Sequence, residues 1–357
     1  MSCLLLRLRV LRLLLAVCVL CVAGQALAVC STANRQYSVQ IPLQAATYSA
    51  GEDFPVGSNV RVQLVRGFNN VPVTCTNGGA YSRMSLSGGA LYPGQSNIYQ
   101  TGINGLGVRF KNPYENKYYP FNTTWLGEYA VDGWLAFNIE LIKMGPMTAG
   151  SINTALFPQV RIDAMDADNN PTRVAYHTIT GSFTLQVPTC TTPNFTWDLG
   201  TTDTTVLKKQ GDATSWQDTP VTLTGCSAFL GNNSNGSYTS YGITGFNTGA
   251  VSEGGGGLAP NKLTMTLRPN TTAIDANNGI VALDSTATAS GVSVQVGLKQ
   301  SGTYVTQSLS TGMVVTPVVG DRSGTVRFPL GARMIRTSDT VQGGKISTSL
   351  TYIINYE

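Results

Sequence analysis

Hydrophobic and polar residues alternate in short stretches along most of the chain. Residues 37–41, 60–64 and 139–142 follow this pattern, with apolar side chains recurring at about every second position. A period of two is typical of β-strands that bury one face. Turn-forming Asn and Gly residues, such as Asn104 and Gly105, separate these stretches. Short strands at this spacing predict a β-sandwich or barrel, and no long helix is predicted after the first thirty residues.

The last thirteen residues, 345–357, show the clearest alternation. Their apolar side chains share one parity and would form a single face of an extended strand: Ile346, Leu350, Tyr352, Ile354 and Tyr356. We expect this face to pack on a core. Because no further strand follows in the sequence, we expect the outer edge of this strand to lack a partner, and an open edge is an aggregation hazard. The pattern therefore predicts that another chain covers the edge by adding a strand.

The length of 357 residues is sufficient for two domains of ordinary size. Residues 180–188 resemble a last strand that ends at a proline, and Cys190 follows directly. We therefore predict one domain over residues 29–187, a short linker near residues 187–189, and a second domain over residues 188–357.

The first 28 residues have the pattern of a signal peptide. Arg7, Arg9 and Arg12 precede the apolar run 13–22, and Ala26-Leu-Ala28 provides small residues at a cleavage site. No later stretch approaches the roughly 20 apolar residues that a membrane span needs. Removing the three leader arginines leaves 20 Lys and Arg against 19 Asp and Glu. This near balance disfavours nucleic acid or anionic lipid as a partner.

Four cysteines follow the leader, namely Cys30, Cys75, Cys190 and Cys226. In an exported chain they indicate two disulfides, for which three pairings are formally possible. The cysteines form two well-separated pairs, one in each half, so we predict Cys30 with Cys75 and Cys190 with Cys226. A zinc site is the alternative, but no pair has the CxxC spacing typical of zinc ligands.

The second half carries a family resemblance. Between Cys190 and the C-terminus lie, in order, Asn-Gly-Ile-Val-Ala-Leu at 278–283, Ala-Ser-Gly-Val-Ser-Val-Gln-Val at 289–296, Phe-Pro-Leu-Gly-Ala-Arg at 328–333, and Tyr-Ile-Ile-Asn-Tyr-Glu at 352–357. This combination resembles the pilin domain of chaperone-usher fimbriae. The resemblance implies an immunoglobulin-like sandwich that lacks one strand and is completed by a partner's strand.

The first half resembles the receptor-binding domains of fimbrial tip adhesins of the type 1 and type 3 classes. The motifs are Phe-Pro-Val-Gly-Ser at 54–58, Cys75, and the stretch 99–110 from Tyr-Gln-Thr-Gly to Val-Arg-Phe. The resemblance implies an all-β protein with two immunoglobulin-like sandwiches in tandem. It also implies a non-enzymatic tip adhesin that attaches bacteria to a host or surface ligand. The alternative is a minor subunit that caps or initiates the pilus and binds no receptor.

The same resemblance implies a set of partners and a location. We expect a periplasmic chaperone, an outer-membrane usher, an adjacent pilin that donates a strand, and a host glycan or extracellular-matrix protein. We also expect export through the periplasm to the fimbrial tip at the cell surface. We expect the chaperone or the donor strand to contact the alternating residues of the last strand and the terminal carboxylate. These residues are Leu350, Tyr352, Ile354, Tyr356 and Glu357.

Two regions of the first half combine aromatic and polar side chains in the way that sugar and protein ligands require. One contains Tyr119, Trp125 and Asp132, and the other consists of loops after Cys75 and at residues 166–170. The candidate ligand-binding residues are Asn77, Tyr81, Arg83, Tyr119, Trp125, Asp132, Asp166, Asp168 and Asn170. Core packing of the sandwich is the alternative for each aromatic residue. The pattern does not distinguish a sugar from a protein ligand.

Catalytic and metal-binding patterns are weak in this sequence. His177 is the only histidine, and it has no associated nucleophile motif, so we expect a structural or surface role. Residues 166–170 begin like a calcium-binding loop, but Pro171 stands where that loop needs Gly and His177 where it needs Glu. We therefore predict no cofactor, no metal ion and no enzymatic activity.

Overall fold

The computed structural model describes residues 30–32, 36–66, 71–75, 79–124, 129–131, 136–243, 249–254 and 257–357. The predicted signal peptide lies outside these ranges. Over the described residues the chain forms β-strands and two short 3₁₀-helical turns, Thr154–Leu156 and Thr204–Val206, so the all-β prediction is confirmed. Among them, no helix has the length and apolar character required to span a membrane.

The first half contributes the strands β1 to β16. They are β1 (Cys30–Ser31), β2 (Tyr37–Leu43), β3 (Thr47–Ser49), β4 (Asn59–Arg66), β5 (Val71–Cys75), β6 (Gly79–Ser87), β7 (Tyr99–Gln100), β8 (Leu106–Asn112), β9 (Lys117–Tyr118), β10 (Phe121–Thr124), β11 (Tyr129–Val131), β12 (Phe137–Lys143), β13 (Gly150–Ser151), β14 (Gln159–Asp166), β15 (Pro171–Gly181) and β16 (Thr184–Gln186).

The second half contributes β17 to β29. They are β17 (Gln217–Asp218), β18 (Val221–Thr224), β19 (Tyr238–Ile243), β20 (Gly249–Gly254), β21 (Leu263–Pro269), β22 (Ala273–Asp275), β23 (Ile280–Val281), β24 (Val292–Gln300), β25 (Thr303–Thr306), β26 (Met313–Val315), β27 (Thr325–Phe328), β28 (Leu330–Arg336) and β29 (Leu350–Tyr356).

Two main sheets enclose the core of the first half. One has the order β10-β6-β14-β15-β2, and the other contains β4, β12, β8 and β7, with β9 paired to β8. Their inward side chains form one hydrophobic cluster, in which Ile41, Phe110, Phe137 and Ile162 are fully or almost fully buried. Two three-stranded sheets, β1-β5-β11 and β13-β16-β3, complete this half.

A hairpin of the second half extends a sheet of the first. Strand β19 pairs in parallel with β4, with Tyr241 opposite Val65, and β20 then pairs with β19. Tyr241 and Ile243 are buried in the hydrophobic cluster of the first half. The hairpin β19-β20 thus joins the second half to the sheet that contains β4. The domain boundary at residues 187 and 188 stays a prediction.

The second half has its own hydrophobic cluster, which includes Leu223, Met265, Val281 and Phe328. A six-stranded sheet, β17-β28-β24-β23-β22 with β25 paired to β24, lies on one side. The pair β18-β27 and the three-stranded sheet β26-β21-β29 provide the remaining strands. The final strand β29 pairs with β21 and forms the end of its sheet within the described part of the chain.

Several local predictions match the structure, and others need correction. Residues 180–188 were expected to form one strand, but β15 ends at Gly181 and β16 begins at Thr184. The Trp-Asp-Leu-Gly pattern at residues 197–200 predicts the end of a strand, but these residues form no regular strand. Alternation in β4 predicted one exposed face, whereas Arg61 and Gln63 are as buried as their apolar neighbours. A layer that includes residues 42–48 covers this second face, since Pro42 and Gln44 accept hydrogen bonds from those side chains.

The disulfide prediction is confirmed for both pairs. Cys30 is bonded to Cys75 and Cys190 to Cys226, across sequence separations of 45 and 36 residues. Cys30 and Cys75 lie directly opposite each other in the β1-β5 ladder. The second bond closes the start of the second half against the residues that follow β18.

Candidate functional site

An apolar groove runs beside the final strand β29. Its first wall is the irregular segment 195–200, and its second wall is formed by residues 346–352. Its volume is about 420 Å³. The floor consists of core side chains from both sides of the second half, namely Val221, Leu267, Val294, Val296, Leu330 and Ala332. A second opening continues the groove past Ile354 and Tyr356. The floor of the groove is therefore a strip of core side chains along one strand, each of them 7% exposed or less.

The alternating side chains of β29 point toward this strip. Leu350, Tyr352, Ile354 and Tyr356 are half-buried and pack on the hydrophobic cluster, while the intervening residues are exposed. The parity predicted from the sequence is therefore confirmed for residues 350–356, whereas Ile346 lies before β29 in a segment that forms no regular strand. Because β29 is the last strand of its sheet, hydrogen-bonding groups along its other edge face the groove rather than a described strand.

Two tyrosines of β29 form hydrogen bonds with backbone groups at the start of the second half. The Tyr352 hydroxyl donates to the backbone oxygen of Pro193 at 2.5 Å, and the Tyr356 hydroxyl accepts from the backbone N–H of Cys190 at 3.2 Å. Burial raises the pKa of both hydroxyls, so both stay protonated at neutral pH. The role of β29 residues in binding a chaperone or donor strand stays a prediction.

The candidate ligand residues of the first half lie largely at one end of the five-stranded sheet. The Tyr81 hydroxyl donates to Asn169 Oδ1 at 3.2 Å, across the turn between β14 and β15. Asp168 and Asn170 are exposed on the same turn. Arg83 follows two residues after Tyr81 on β6. The fold therefore brings these predicted residues into one surface, although they come from two separate parts of the sequence.

Asp166 supports this turn from below rather than facing solvent. It is almost fully buried, and its Oδ1 accepts from the backbone N–H groups of Asp168 and Asn170 at 2.9 and 2.7 Å. Its Oδ2 accepts from the Asn170 side-chain amide at 3.1 Å. Because the carboxylate oxygens already hold the turn, Asp166 positions its neighbours and is poorly placed to contact a ligand.

Arg83 belongs to an ion-pair row on the outer face of this sheet. Asp163 is buried and lies 3.6 Å from Arg83 and 2.5 Å from Arg173. Burial raises the pKa of the Asp163 carboxyl, and the positive charges of Arg161 and Arg83 oppose that rise. Three guanidinium groups around one carboxylate leave an excess of positive charge on this face. Arg83, with 39% of its side chain exposed, is accessible to an acidic or hydroxyl-bearing ligand.

Tyr119 requires a correction, because its side chain has no exposed surface. The ring packs edge to face on Phe121 and Phe137, with centroids 5.3 and 6.4 Å away. Tyr119 is therefore a core residue. Core packing is the alternative that the sequence left open for each aromatic candidate. Three further candidates, Asn77, Trp125 and Asp132, lie outside the described residues.

The hairpin β8-β9 carries a second candidate binding surface, which the sequence analysis did not predict. The Arg109 guanidinium lies 4.5 Å above the Tyr118 ring and donates to Glu140 at 2.7 Å. The Lys111 ammonium group lies 5.4 Å from the same ring, and Tyr114 is largely exposed at the tip. The alternation of β8 predicts that Arg109 and Lys111 share a face, but only the paired β9 brings Tyr118 beneath them.

The buried carboxylates among the described residues all lie beside partners. Glu140 is paired with Arg109, Asp163 with two arginines, and Asp166 with its own turn. Within the same ranges, no group of three His, Cys, Asp or Glu side chains is placed to hold a metal ion. Each buried carboxylate in this part of the chain therefore has a structural partner.

Known proteins provide a comparison for this arrangement. Residues 50–172 match the family model described as the MrkD-like receptor binding domain. The matched segment lies within the first half of the chain. The resemblance to fimbrial adhesins that the sequence predicted is thereby confirmed for this segment. No curated protein matches the chain.

Solved structures similar to this chain include adhesins of chaperone-usher pili. The receptor binding domain of the plasmid-born adhesin MrkD1P of Klebsiella pneumoniae is 22% identical and covers 46% of this chain and 98% of its own, with a TM-score of 0.35. The CupB6 tip adhesin from Pseudomonas aeruginosa is 12% identical and covers 92% of this chain and 94% of its own, with a TM-score of 0.36. The CsuC-CsuE chaperone-tip adhesion subunit complex of Acinetobacter baumannii is 10% identical over 92% of this chain and 100% of the matched chain, with a TM-score of 0.24.

Proposed function

We propose that this protein is a non-enzymatic tip adhesin of a chaperone-usher fimbria. The observation that carries the proposal is the MrkD-like receptor binding domain at residues 50–172, joined to a half whose last strand has an open edge. The MrkD-like domain binds a host glycan or matrix protein. The second half anchors the protein to the pilus by accepting a strand from the adjacent pilin.

The anchoring role is supported by the groove beside β29. A strand that enters the groove gains backbone hydrogen bonds from the open edge and buries its own apolar side chains against the strip of core that lines the groove. Covering apolar surface contributes roughly 25 cal/mol per Å², so filling the groove stabilises the second half as well as joining the two subunits. During export, the periplasmic chaperone covers the same surface, and the usher then exchanges the chaperone for the pilin.

For the receptor site we propose the surface formed by Tyr81, Arg83, Asp168 and Asn170. It combines a hydroxyl, a guanidinium, a carboxylate and an amide, the groups that recognise sugar hydroxyls and polar protein side chains. Asp166 holds the turn that presents two of these residues. A rigid turn lowers the entropy that is lost when a ligand binds.

The test measures adhesion of cells whose fimbriae carry the full chain to an array of host glycans and extracellular-matrix proteins. Cells lacking the chain provide the baseline. Two variants, Arg83→Ala and Asp168→Ala, address the proposed surface one residue at a time. The matched control is Tyr114→Ala, because Tyr114 is 68% exposed on the hairpin β8-β9 of the other sheet.

We expect saturable binding to at least one array component, a loss of tenfold or more in the two variants, and no change in the control. Fimbriae must be present in equal number, counted by electron microscopy. If removing the chain lowers the number of fimbriae but leaves adhesion per fimbria unchanged, the protein is a capping subunit rather than an adhesin. A loss in Tyr114→Ala alone would move the receptor site to the hairpin.

A further inference from the structure

The hydrogen bonds of the final strand show which of its backbone groups face outward. Lys262 and Glu357 exchange two backbone hydrogen bonds of 3.0 and 2.9 Å, so they form a closed pair of the antiparallel ladder. Closed and open pairs alternate along such a ladder. Tyr356, opposite Leu263, is therefore in an open pair, and its N–H and C=O point away from β21. The same alternation directs the backbone groups of Leu350, Tyr352 and Ile354 to the outer edge.

The outer edge is already occupied at Tyr356 by the first half of the molecule. The backbone N–H of Asp53 donates to the Tyr356 oxygen at 2.9 Å, and the Tyr356 N–H donates to Asp53 Oδ2 at 2.9 Å. Asp53 thus uses both outward-facing backbone groups of Tyr356, as a residue of a neighbouring strand would. The described structure shows no such partner for Tyr352 or Ile354.

Close packing at Gly51 holds this contact in place. A Cβ atom at Gly51 would lie 2.0 Å from the Tyr356 oxygen and 2.6 Å from the Tyr356 Cβ. The backbone of Gly51 has a conformation that any L-residue adopts, so the restriction comes from Tyr356 and not from the local fold. The turn that begins at Gly51 closes with a hydrogen bond from the Phe54 N–H to the Gly51 oxygen.

We infer that the first half of the molecule and an incoming strand compete for the backbone of Tyr356. While Asp53 is bound there, the edge open to a partner ends at Ile354. A partner strand that pairs as far as Tyr356 binds only after the two halves separate at Asp53. The arrangement of the halves therefore selects how far a pilin strand or another strand partner reaches along β29. This inference rests on the proposed acceptance of a strand by the second half.

The partner that fits this edge is an extended segment with apolar residues at every second position. Its apolar side chains would enter the groove above Leu267, Val294 and Leu330, and its backbone would pair with Leu350 to Ile354. Extending such a segment by two residues would require the two hydrogen bonds that Asp53 now makes.

The first experiment follows amide exchange in the full mature chain by NMR. In the wild type, the Tyr356 amide should exchange slowly, whereas the outward-facing amides of Tyr352 and Ile354 should exchange quickly. Asp53→Ala removes the carboxylate acceptor, and Gly51→Ala forces the two halves apart at this point. Both variants should accelerate exchange at Tyr356 by about tenfold, the effect of losing one hydrogen bond. Gly145→Ala is the matched control, because a Cβ there meets nothing within 4 Å.

The second experiment measures binding of two fluorescent peptides that alternate valine and threonine. The shorter peptide is long enough to pair only as far as Ile354, and the longer one has two more residues and reaches Tyr356. We expect Gly51→Ala to bind the longer peptide about tenfold more tightly than the wild type does. The shorter peptide should bind the wild type, Gly51→Ala and Gly145→Ala equally.

The outcomes distinguish the competition for Tyr356 from the proposed acceptance of a strand by the second half. Equal affinity of the longer peptide for the wild type and Gly51→Ala would overturn the competition, as would rapid exchange of the Tyr356 amide in the wild type. If neither peptide binds but the exchange pattern is as expected, Asp53 occupies the edge, yet the second half accepts no strand. That result would overturn the proposed anchoring and the competition together, while leaving receptor binding by the MrkD-like domain untouched.

Discussion

The imidazole of His177 stacks on the ring of Phe137, with the ring centroids 5.8 Å apart and the planes inclined by 26°. His177 is fully buried between the two sheets of the first half. Burial lowers the pKa of His177 from 6.5 to about 4, and a backbone group of Val39 opposes this change. The only histidine of the chain therefore acts as a neutral core residue, which is the first of the two roles, structural or surface, that the sequence left open.

This burial predicts a pH dependence of stability. Between pH 6.5 and about 4 the unfolded chain binds a proton at His177, whereas the folded chain does not, so stability falls as the pH decreases through this window. The full difference corresponds to about 3 kcal/mol. His177→Phe keeps an aromatic ring on Phe137 and removes the titration. Denaturant unfolding at pH 7 and pH 4 should show that the variant loses less stability than the wild type, and an equal loss in both would contradict the prediction.

The alternation of the final strand predicts opposite effects at neighbouring residues. Ile354 packs on the hydrophobic cluster of the second half, while Ile353 is 37% exposed on the other face of β29. Ile354→Asp places a charge against the core and should cost at least about 2 kcal/mol. Ile353→Asp should change stability by less than about 0.5 kcal/mol. Urea unfolding of both variants provides the measurement, and similar losses would show that the strand does not present one face to the core.

Replacing the charged residue Arg61 should lower the stability of the protein by an unusually large amount. It is 1% exposed, and it donates to the Gln44 backbone oxygen at 2.7 Å and to Gln63 Oε1 at 3.1 Å. Its guanidinium also lies 5.5 Å from the Phe183 ring. Arg61→Ala leaves a cavity and an unpaired backbone oxygen at Gln44, so we expect a loss of about 3 kcal/mol or more in the free energy of unfolding.

The control for Arg61 is the exposed Arg66 at the end of the same strand, β4. Its hydrogen bond to the Tyr238 hydroxyl is 3.4 Å long and exposed to solvent. Arg66→Ala should therefore change stability by no more than about 0.5 kcal/mol. Thermal unfolding distinguishes the two variants, and a small effect of Arg61→Ala would mean that the buried layer over β4 is loosely packed.

Removing the disulfide Cys190–Cys226 should lower the stability of the second half only. It closes a loop with a sequence separation of 36 residues, for which the chain-entropy model gives a stabilisation of roughly 3 to 4 kcal/mol. Replacing both cysteines by serine should lower the stability of the second half by this amount. Amide exchange measured by mass spectrometry locates the change. Faster exchange in the strands of the first half alone would contradict it.

The sequence alone determined the features that depend on local pattern. A period of two predicted both the final strand and its buried face, because successive side chains of a strand point to opposite sides. Two cysteines in each half led to the correct disulfides, since each pair lies within one half of the chain. The turn at residues 166–170 was also expected, because its Asp and Asn residues form hydrogen bonds within a few residues of each other.

Tertiary structure alone decided the features that depend on what covers each surface. Alternation cannot show that a second layer buries Arg61, or that Tyr119 points into the core, because both depend on strands distant in the sequence. The pairing of β19 with β4 joins residues more than 170 positions apart. The contact of Asp53 with Tyr356 depends on how the two halves meet, and no local pattern of hydrophobic and polar residues encodes that meeting.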